Sequence, residues 1–402
     1  MSLRLAQRVQ RIRPSPTVSI TALAGRLREE GKDIIGLSAG EPDFATPEYV
    51  REAAIAAIRE GETKYTAVDG TRSLKTAIQE KFRRDNELDF ELNEIIVSSG
   101  GKQACYNACQ ALLEVGDEVV IPTPCWVSYP DMVRLTGAEP VSVDVPAEQG
   151  FRISADQLRA AITDQTRALI VNSPSNPTGA AYTCADWLAL GEVLKEHPRI
   201  TIITDDIYEH IYWGEKPFCS LLTACPDLRD RVLTVNGVSK CYAMTGWRLG
   251  YAAGPVELIK AMTKIQSQST TNASSISQAA AYAALMGDQT FVEEARMTFK
   301  ERHDYVLECL NGLPGVTCAS ADGAFYAFPD VTGAIANVGL DDDTQFCEQL
   351  LAANGVAIVP GSAFGTPGHV RLSFAADRLT LELAIGRIGE FLDGSSSSNK
   401  LL

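Results

Sequence analysis

The stretch Thr201-Ile202-Ile203-Thr204-Asp205-Asp206-Ile207-Tyr208-Glu209 changes character halfway along its length. Its first four residues are β-branched, which is typical of a strand buried on both faces of a parallel sheet. Two carboxylates and a phenol follow, and in open α/β sheets ligands bind at the carboxyl ends of the strands. We therefore expect an α/β fold in which Asp205 and Tyr208 face a ligand. Capping of a following helix is the alternative role for Asp205, although Asp206 could take that role instead.

A lysine and an arginine stand eight residues apart in residues 239–248, between an apolar strand-like run and a Gly-containing turn. The amine of Lys240 can form an imine with an aldehyde, while the guanidinium of Arg248 can bind a phosphate. Pyridoxal phosphate (PLP) carries both groups, so it is the predicted cofactor. A pair of solvated surface charges is the alternative interpretation.

Other segments offer partners for the remaining groups of such a cofactor. Asp205 suits a protonated pyridine nitrogen, because an adjacent carboxylate favours the charged form, and Tyr208 can donate to the phenolate oxygen. Asn176, in the Pro- and Gly-rich turn at 172–179, can reach the phenolate oxygen and a substrate carboxylate. An ordinary turn would explain its prolines and glycine but not the choice of Asn. Trp126 offers a flat face for ring stacking, with ordinary packing as its alternative.

The order strand, Gly-rich turn and helix start is predicted for residues 95–104. A helix start presents free N–H groups and a positive dipole end, so this segment is a predicted phosphate site. A tight turn without a ligand is the alternative. The segment is neither a Walker loop nor a GxGxxG fingerprint, and the missing dinucleotide fingerprint argues against a nicotinamide dehydrogenase.

Ten motifs along the chain occur in the order found in one enzyme family. They are GEPDF (40–44), GGKQA (100–104), WVSYP (126–130), NSPSNPTG (172–179), DDIYEH (205–210), VNGVSK (235–240), MTGWRLGY (244–251), SQSTT (267–271), GAFY (323–326) and HVRLS (369–373). From about residue 15 to about residue 391 the chain resembles the fold type I PLP-dependent aminotransferases, and among them the bacterial aspartate aminotransferases of subgroup Ib. The resemblance implies a mainly parallel, doubly wound sheet in a large domain plus a smaller α+β domain.

The resemblance implies a role for each matching residue. Lys240 would hold PLP as an imine and then move the Cα proton, and Asp205 and Tyr208 would complete the catalytic set. The implied cofactor contacts are Tyr65, Gly101, Lys102, Gln103, Trp126, Asn176, Asp205, Tyr208, Lys240 and Arg248. The implied substrate contacts are Thr17, Gly40, Lys102, Trp126, Asn176 and Arg371. The planar fork of Arg371 would grip the substrate α-carboxylate.

The implied reaction is transamination between L-aspartate and 2-oxoglutarate, giving oxaloacetate and L-glutamate with ping-pong kinetics. The alternatives are an aminotransferase for prephenate, aromatic or alanine-type substrates, a PLP lyase or synthase of the same fold, and a non-enzymatic PLP-binding regulator. Lys102 is the family candidate for the distal carboxylate, with Arg13 and Thr17 as helpers. A solvated basic N-terminus is the alternative for Arg11 and Arg13.

Three positions depart from the family pattern. Residue 125 is Cys where a Tyr is common. Residue 206 is Asp where the family usually has Glu. Gly237 stands where many aminotransferases have a phosphate-binding serine, and Ser239 is the nearest substitute.

Tyr65 matches a tyrosine that reaches the phosphate of the neighbouring subunit, so the resemblance implies a homodimer with shared active sites. Amino acids and 2-oxoacids are the expected small-molecule partners.

Length and composition agree with this interpretation. The 402 residues exceed a single core, so we expect a large PLP-binding domain at 46–292, a small domain formed by 1–45 with 293–393, and a disordered tail at 394–402. A helix from about 289 to 310 should link the two domains. The net charge of −15 argues against nucleic-acid binding, and no apolar stretch approaches the roughly 18 residues of a membrane span.

The cysteines and histidines predict neither a metal site nor a disulfide framework. The ten cysteines include no CxxC pair, and the four histidines have no metal-like spacing. We expect buried free thiols in a reducing compartment, and a cytoplasmic protein without a metal.

Overall fold

The computed structural model describes residues 3–394, and the predicted tail lies, from residue 395 onward, outside them. The helices are α1 (Gln7–Gln10), α2 (Pro16–Glu29), α3 (Glu48–Arg59), α4 (Arg72–Asn86), α5 (Gly101–Leu112), α6 (Ser128–Thr136), α7 (Ala155–Ala161), α8 (Cys184–Glu196), α9 (Leu221–Ala224), α10 (Val256–Ser267), α11 (Ser275–Met286), α12 (Thr290–Asn311), α13 (Thr332–Val338), α14 (Asp343–Asn354) and α15 (Arg378–Leu392). Short 3₁₀ helices are found at Leu92–Glu94, Ala147–Gln149, Pro226–Arg231, Thr245–Trp247 and Gly361–Phe364.

The strands alternate with these helices along the chain. They are β1 (Ile35–Gly36), β2 (Ile95–Ser98), β3 (Glu118–Thr123), β4 (Glu139–Asp144), β5 (Thr166–Asn172), β6 (Thr201–Asp205), β7 (Val232–Gly237), β8 (Gly250–Ala253), β9 (Tyr326–Ala327), β10 (Val356–Ala357), β11 (Val359–Pro360) and β12 (Val370–Ser373).

The central sheet, as far as residues 3–394 define it, has seven strands in the order β2-β8-β7-β6-β5-β3-β4. Neighbouring strands from β7 to β4 pair in parallel, whereas β8 is antiparallel to both β7 and β2. The predicted mixed α/β class with a mainly parallel sheet is therefore confirmed. Parallel neighbours need crossover connections, which here are mostly helices, so the carboxyl ends of β5, β6 and β7 meet at one edge of the sheet.

Both faces of the central sheet are covered, because successive strand residues point to opposite sides. In β6, Ile202 joins a core that includes residues of α3, α4, α8 and α11, while Ile203 joins a second core that includes residues of α5, α6 and α10. Continuous apolar strands such as β5 are therefore required rather than alternating ones. Each fully buried aliphatic side chain of this kind contributes about 1.5–3 kcal/mol.

A further core forms around the long helix α12. Its residue Phe299 is fully buried with residues of α13, α14 and α15, and Ile35 and Leu37 join them from the N-terminal part. Two small sheets cover this core, the parallel pair β1–β10 and the antiparallel order β11-β12-β9. Helix α12 has the predicted position, and the domain boundaries stay a prediction.

The expectation that all cysteines are free thiols is wrong for one pair. Cys184, the first residue of α8, forms a disulfide with Cys219, with Cα atoms 5.5 Å apart and a sequence separation of 35. No CxxC motif marks this pair in the sequence, and the pairing depends on how α8 packs beside the segment before α9. No helix within residues 3–394 is both long and apolar enough to cross a membrane.

Two carboxylates with different surroundings follow each other at the end of β6. Asp205 accepts hydrogen bonds, whereas neither oxygen of Asp206 has a partner in the described part of the chain, although Asp206 is only 1% exposed. Burial raises the pKa of Asp206 well above its usual value, and the nearby carboxylates of Glu209 and Asp205 raise it further. Burial and the neighbouring carboxylates therefore favour the neutral form of Asp206.

We predict that Asp206→Asn stabilises the protein, and more so as the pH rises. In the unfolded chain Asp206 ionises above its ordinary pKa of about 3.9, whereas its pKa in the folded chain is raised. Between these two pKa values unfolding releases a proton, so stability falls as the pH rises. An amide has no such proton to release. Thermal unfolding of both proteins from pH 5 to pH 8 should give a gap that widens in favour of the variant. A constant gap would contradict a buried protonated Asp206.

Candidate active site

The carboxyl edge of the central sheet opens into a cavity of about 290 Å³. Residues that follow β5, β6 and β7 line it, as the strand-end rule requires. The sequence-predicted residues found in its lining are Thr17, Gly40, Gly101, Lys102, Trp126, Asn176, Asp205, Tyr208, Lys240, Arg248 and Arg371. Side chains that are up to 354 residues apart in sequence therefore meet in one cavity.

The amine of Lys240 occupies this cavity just beyond the end of β7. It donates a hydrogen bond of 2.5 Å to the carbonyl oxygen of Gly40. Burial lowers the pKa of Lys240 to about 8, and the positive charges of Arg371 and Arg248 act in the same direction, against Glu41 and Asp205. About a tenth of the amine is therefore unprotonated at pH 7, far more than for an ordinary lysine with a pKa of about 10.4, and the neutral form is the one that acts as a nucleophile or a base.

The carboxylate of Asp205 ends β6 beneath the cavity. It accepts 2.6 Å from the hydroxyl of Tyr129 and 3.3 Å from the backbone N–H of Ile207. Burial raises the pKa of Asp205, although both of these donors and the Lys240 amine oppose that rise. A buried carboxylate of this kind is stabilised by a positive partner, and the Lys240 amine acts on it in that way.

Two phenols and a guanidinium form a second cluster in the cavity. The hydroxyls of Tyr208 and Tyr326 share a hydrogen bond of 2.9 Å, and burial raises both pKa values, so both phenols stay protonated. The guanidinium of Arg371 lies over the ring of Tyr326 at 4.5 Å and donates 2.9 Å to the Asn176 side-chain oxygen. A Cβ at Gly40 would lie 2.7 Å from the Tyr326 hydroxyl, so only glycine fits there.

The buried guanidinium of Arg371 keeps one free donor. Its second terminal nitrogen donates 2.6 Å to the carbonyl oxygen of Ser38. Its Nε has no hydrogen-bond partner among residues 3–394, and neither has the buried hydroxyl of Thr17. Native proteins rarely leave buried donors unpaired, and an open donor on a guanidinium suits a carboxylate ligand.

The start of α5 forms the anion-binding end of the cavity. Gly100 caps this helix with φ +91°, and a Cβ there would lie 2.5 Å from Nη2 of Arg248. Glycine thus lets the guanidinium approach the free N–H groups of the helix start. Lys102 lies over the Trp126 ring at 4.8 Å, and burial together with Arg248 lowers its pKa. These charges repel each other and favour a bound phosphate.

Two predicted residues lie outside the lining of this cavity. The Gln103 side chain accepts from the Ser99 backbone N–H at 2.6 Å and donates to Thr270 at 2.6 Å, so it braces the turn. Tyr65 is 89% exposed and lines a different cavity, of about 710 Å³, beside α3 and α11. Cofactor contacts by both residues stay predictions.

Sequence reasoning missed three residues that the geometry brings into the site. Tyr129 holds Asp205, Tyr326 holds Tyr208, and the Asn172 side chain donates 2.6 Å to the Asp205 carbonyl oxygen. All three lie inside motifs already noted, WVSYP, GAFY and NSPSNPTG. The sequence signal that could have identified these three residues is a polar side chain next to an apolar position within a motif. Ser239, considered for the phosphate, does line the cavity.

The donor set as a whole fits a ligand with a phosphate, a carboxylate and a cationic ring nitrogen. Lys102, Arg248 and Arg371 supply positive charge, Asp205 supplies a buried negative charge, and Trp126 supplies a flat face. If the site held only an apolar ligand, these buried charges would be left without partners.

Comparison with known proteins agrees with this geometry. The model of the family described as aminotransferase class I and II matches residues 32–388. An aspartate/prephenate aminotransferase of Nitrosomonas europaea is 52% identical over 396 residues, covering 97% of this chain and 100% of that protein. An aspartate aminotransferase of Rhizobium meliloti is 50% identical over 393 residues, covering 96% of each chain.

Solved structures give the same result for the fold. The aspartate aminotransferase from Rhizobium meliloti superposes with a TM-score of 0.93 at 48% identity, covering 98% of this chain and all of that one. The Thermus thermophilus aspartate aminotransferase with maleate gives a TM-score of 0.91 at 44% identity, covering 97% and 100%. The predicted resemblance to fold type I aminotransferases is confirmed, and the chain belongs to the class I and II aminotransferase family.

Proposed function

We propose that this chain is a PLP-dependent enzyme that transfers the amino group of L-aspartate to 2-oxoglutarate, giving oxaloacetate and L-glutamate. The observation that carries the proposal is the Lys240 amine, which has a lowered pKa and lies in one cavity with Arg371, Arg248 and Asp205. An amine nucleophile, two anion sites and a buried carboxylate are the groups that PLP-dependent transamination requires. Relatives near 50% identity carry the name aspartate aminotransferase.

PLP, when bound, supplies an aldehyde carbon that takes up amino groups and an electron-withdrawing ring that weakens the substrate Cα–H bond. The chemistry of the cavity residues indicates which of them would hold PLP. Asp205 would keep the ring nitrogen protonated, and Tyr208 and Asn176 would contact the phenolate oxygen. Trp126 would stack on the ring. The start of α5, with Gly101 and Lys102, and Arg248 would hold the phosphate.

The chemical work of the chain falls mainly on Lys240. With substrate in the cavity, its neutral Nζ would accept the proton from the substrate Cα and hold it within the site for return. The Gly40 carbonyl oxygen, 2.5 Å from this nitrogen, orients it. Asp205, fixed by Tyr129, would be favoured in its ionised form by a cationic ring nitrogen beside it.

Substrate selection rests on two positive groups. Arg371 would bind the α-carboxylate, which every amino acid and 2-oxoacid carries, through a bidentate contact. Lys102 is the proposed partner of the distal carboxylate, with Thr17 nearby in the cavity lining. Prephenate also carries a second carboxylate, and the Nitrosomonas relative bears the name aspartate/prephenate aminotransferase. Prephenate is therefore the second candidate oxoacid.

The remaining proposals concern assembly and location. The exposed Tyr65 side chain lies outside the lining of this chain's cavity, and a partner subunit's site would give it a use. We propose a homodimer with shared active sites, a cytoplasmic location, and amino acids and 2-oxoacids as partners. The predicted division into a large domain at 46–292 and a small domain remains part of this proposal.

The test is a spectroscopic titration of the purified protein with PLP. L-Aspartate alone should remove the visible band of bound PLP, and 2-oxoglutarate should restore it, because the two half-reactions of a ping-pong enzyme separate. Prephenate in place of 2-oxoglutarate tests the second candidate. Lys240→Ala should lower kcat by at least about 10⁴-fold, while Lys260→Ala, an exposed lysine, should behave as wild type.

The possible results separate the levels of the proposal. If the visible band does not respond to aspartate, the assignment of PLP as cofactor is retained and the assignment of aspartate as substrate is rejected. Absence of any band after addition of PLP, or near-normal turnover by Lys240→Ala, would reject the assignment of Lys240.

The lowered pKa of Lys240 predicts how the protein without cofactor takes up PLP. The neutral amine is the nucleophile, so the rate of covalent attachment should fall about tenfold per pH unit below the pKa and level off above pH of about 8. Stopped-flow measurement of the visible band from pH 6 to pH 11 gives this midpoint. A midpoint near the ordinary lysine value of about 10.4 would disprove the lowered pKa.

The roles of Lys102 and Arg371 predict a difference in selectivity. Lys102→Met should lower kcat/KM for L-aspartate relative to L-alanine by about tenfold or more, because a charged hydrogen bond contributes about 1.5–3 kcal/mol. Arg371→Lys should lower both values alike, because both substrates carry the α-carboxylate. The ratio of kcat/KM for L-aspartate to kcat/KM for L-alanine also cancels any effect of Lys102 on cofactor binding, because both substrates use the same cofactor. An unchanged ratio in Lys102→Met would remove it from the distal site.

A further inference from the structure

A buried carboxylate that has no part in the mechanism above lies just beyond the cavity lining. Glu209 forms an ion pair with Lys81, whose side chain is fully buried. Its two oxygens also accept hydrogen bonds of 2.7 Å from the side-chain amides of Asn86 and Asn236. Lys81 in turn donates 2.8 Å to the Asn86 oxygen. We call Lys81, Asn86, Glu209 and Asn236 the Glu209 hub.

The Glu209 hub joins three separate elements. Lys81 and Asn86 belong to α4, Glu209 belongs to the segment after β6 that carries Asp205 and Tyr208, and Asn236 lies near the end of β7. The strand β7 leads directly to Lys240, so both segments that hold the proposed catalytic groups end on one carboxylate.

The link continues from Asn236 into the segment that carries Lys240. The Asn236 oxygen accepts 2.7 Å from the backbone N–H of Gly237, and the Gly237 carbonyl accepts a weak bond from Cys241 at 3.7 Å. A second bond joins the same segments, because the Asp206 N–H donates 2.9 Å to the Val235 carbonyl oxygen. The position of Lys240 relative to Asp205 is therefore set by groups on both sides.

Stability alone does not explain why charges are buried here. Replacing a buried ion pair by packed apolar side chains is often neutral or stabilising, because desolvation offsets the attraction. A buried, fully hydrogen-bonded pair does fix one geometry, since any displacement leaves a charge unpaired. That property matters where two segments must keep reacting groups in register.

The acidic residues around the Glu209 hub do not need a metal ion to balance their charge. Asp85, Glu209 and His210 present ligand atoms within 4.8 Å of one another. Burial lowers the pKa of His210, but Glu209 and Asp85 hold it up at about 10, so His210 is a cation paired with Asp85 at 2.9 Å. With Lys81 as a second cation, the negative charges are already balanced within the protein.

We propose that Glu209 is a positioning residue, which through Asn236 and Lys81 holds the segment of Asp205 and Tyr208 in register with Lys240. The proposal rests on the transaminase function proposed above. A displacement of about 1 Å in such a site costs up to about 100-fold in rate. Loosening of the Lys240 segment also moves its amine away from Arg371 and Arg248, which lower its pKa, and from Asp205 and Glu41, which raise it.

The first test replaces the ion pair by an apolar pair, Lys81→Met with Glu209→Leu. Apolar packing can replace the ion pair itself, but the buried amides of Asn86 and Asn236 lose their acceptor, so the melting temperature should fall, and kcat is measured well below it. In the PLP-loaded enzyme kcat should fall about 10- to 100-fold, with the KM for aspartate little changed because Arg371 is not in the hub. The midpoint of PLP attachment should shift upward by about 0.5 unit or more as desolvation is relieved.

Two single variants make the test decisive. Asn236→Ala cuts the link to the Lys240 segment and leaves the Lys81–Glu209 pair in place, so it decides the matter if the double variant does not fold. It should reproduce the lower kcat and the shifted midpoint. Lys75→Met is the matched control, because Lys75 lies on the same helix, is buried, and pairs with Asp69 away from both segments.

The readouts separate the two proposals. Wild-type kcat and midpoint in both the double variant and Asn236→Ala would overturn the positioning role, as would an equal loss in Lys75→Met. If wild-type protein does not transaminate aspartate, the proposed function falls. The midpoint of PLP attachment then still decides whether the hub positions Lys240.

Discussion

The arrangement of the site depends on one constraint, the burial of the Lys240 amine. Water is replaced around it by a single carbonyl oxygen, that of Gly40, and by charges of both signs. The carbonyl comes from the N-terminal segment, Arg371 comes from the small antiparallel sheet, and Lys240 itself follows the central sheet. The site therefore exists only where the sheets meet, and neither sheet alone could lower the pKa of this amine.

Local charge opposes the overall charge of the molecule. The chain carries −15 in total, yet the cavity combines Lys102, Arg248 and Arg371 with Asp205 as a lining acid. Dicarboxylates are repelled by the acidic surface in general and attracted by the cavity, so the field favours entry at one place. The same surface charge keeps the concentrated protein soluble.

The sequence predicted those features that depend on strand ends and failed on those that depend on packing. Asp205 and Lys240 could be found because polar residues follow apolar strands. Arg371 was recognised only by family resemblance, because a charge on a short strand shows no sign of its burial. Tyr129 and Tyr326 were missed, since a phenol acquires its partner only when distant segments fold together. The Cys184–Cys219 bond escaped for the same reason.

The Cys184–Cys219 disulfide encloses β6 together with Asp205 and Tyr208. It closes a loop of 35 residues around Asp205 and Tyr208, and in the chain-entropy model such a closure restricts the unfolded ensemble by about 4 kcal/mol. In a reducing cytoplasm the two thiols would be free. The oxidised and the reduced protein are two covalent species with different unfolded states, so their denaturation curves report different equilibria.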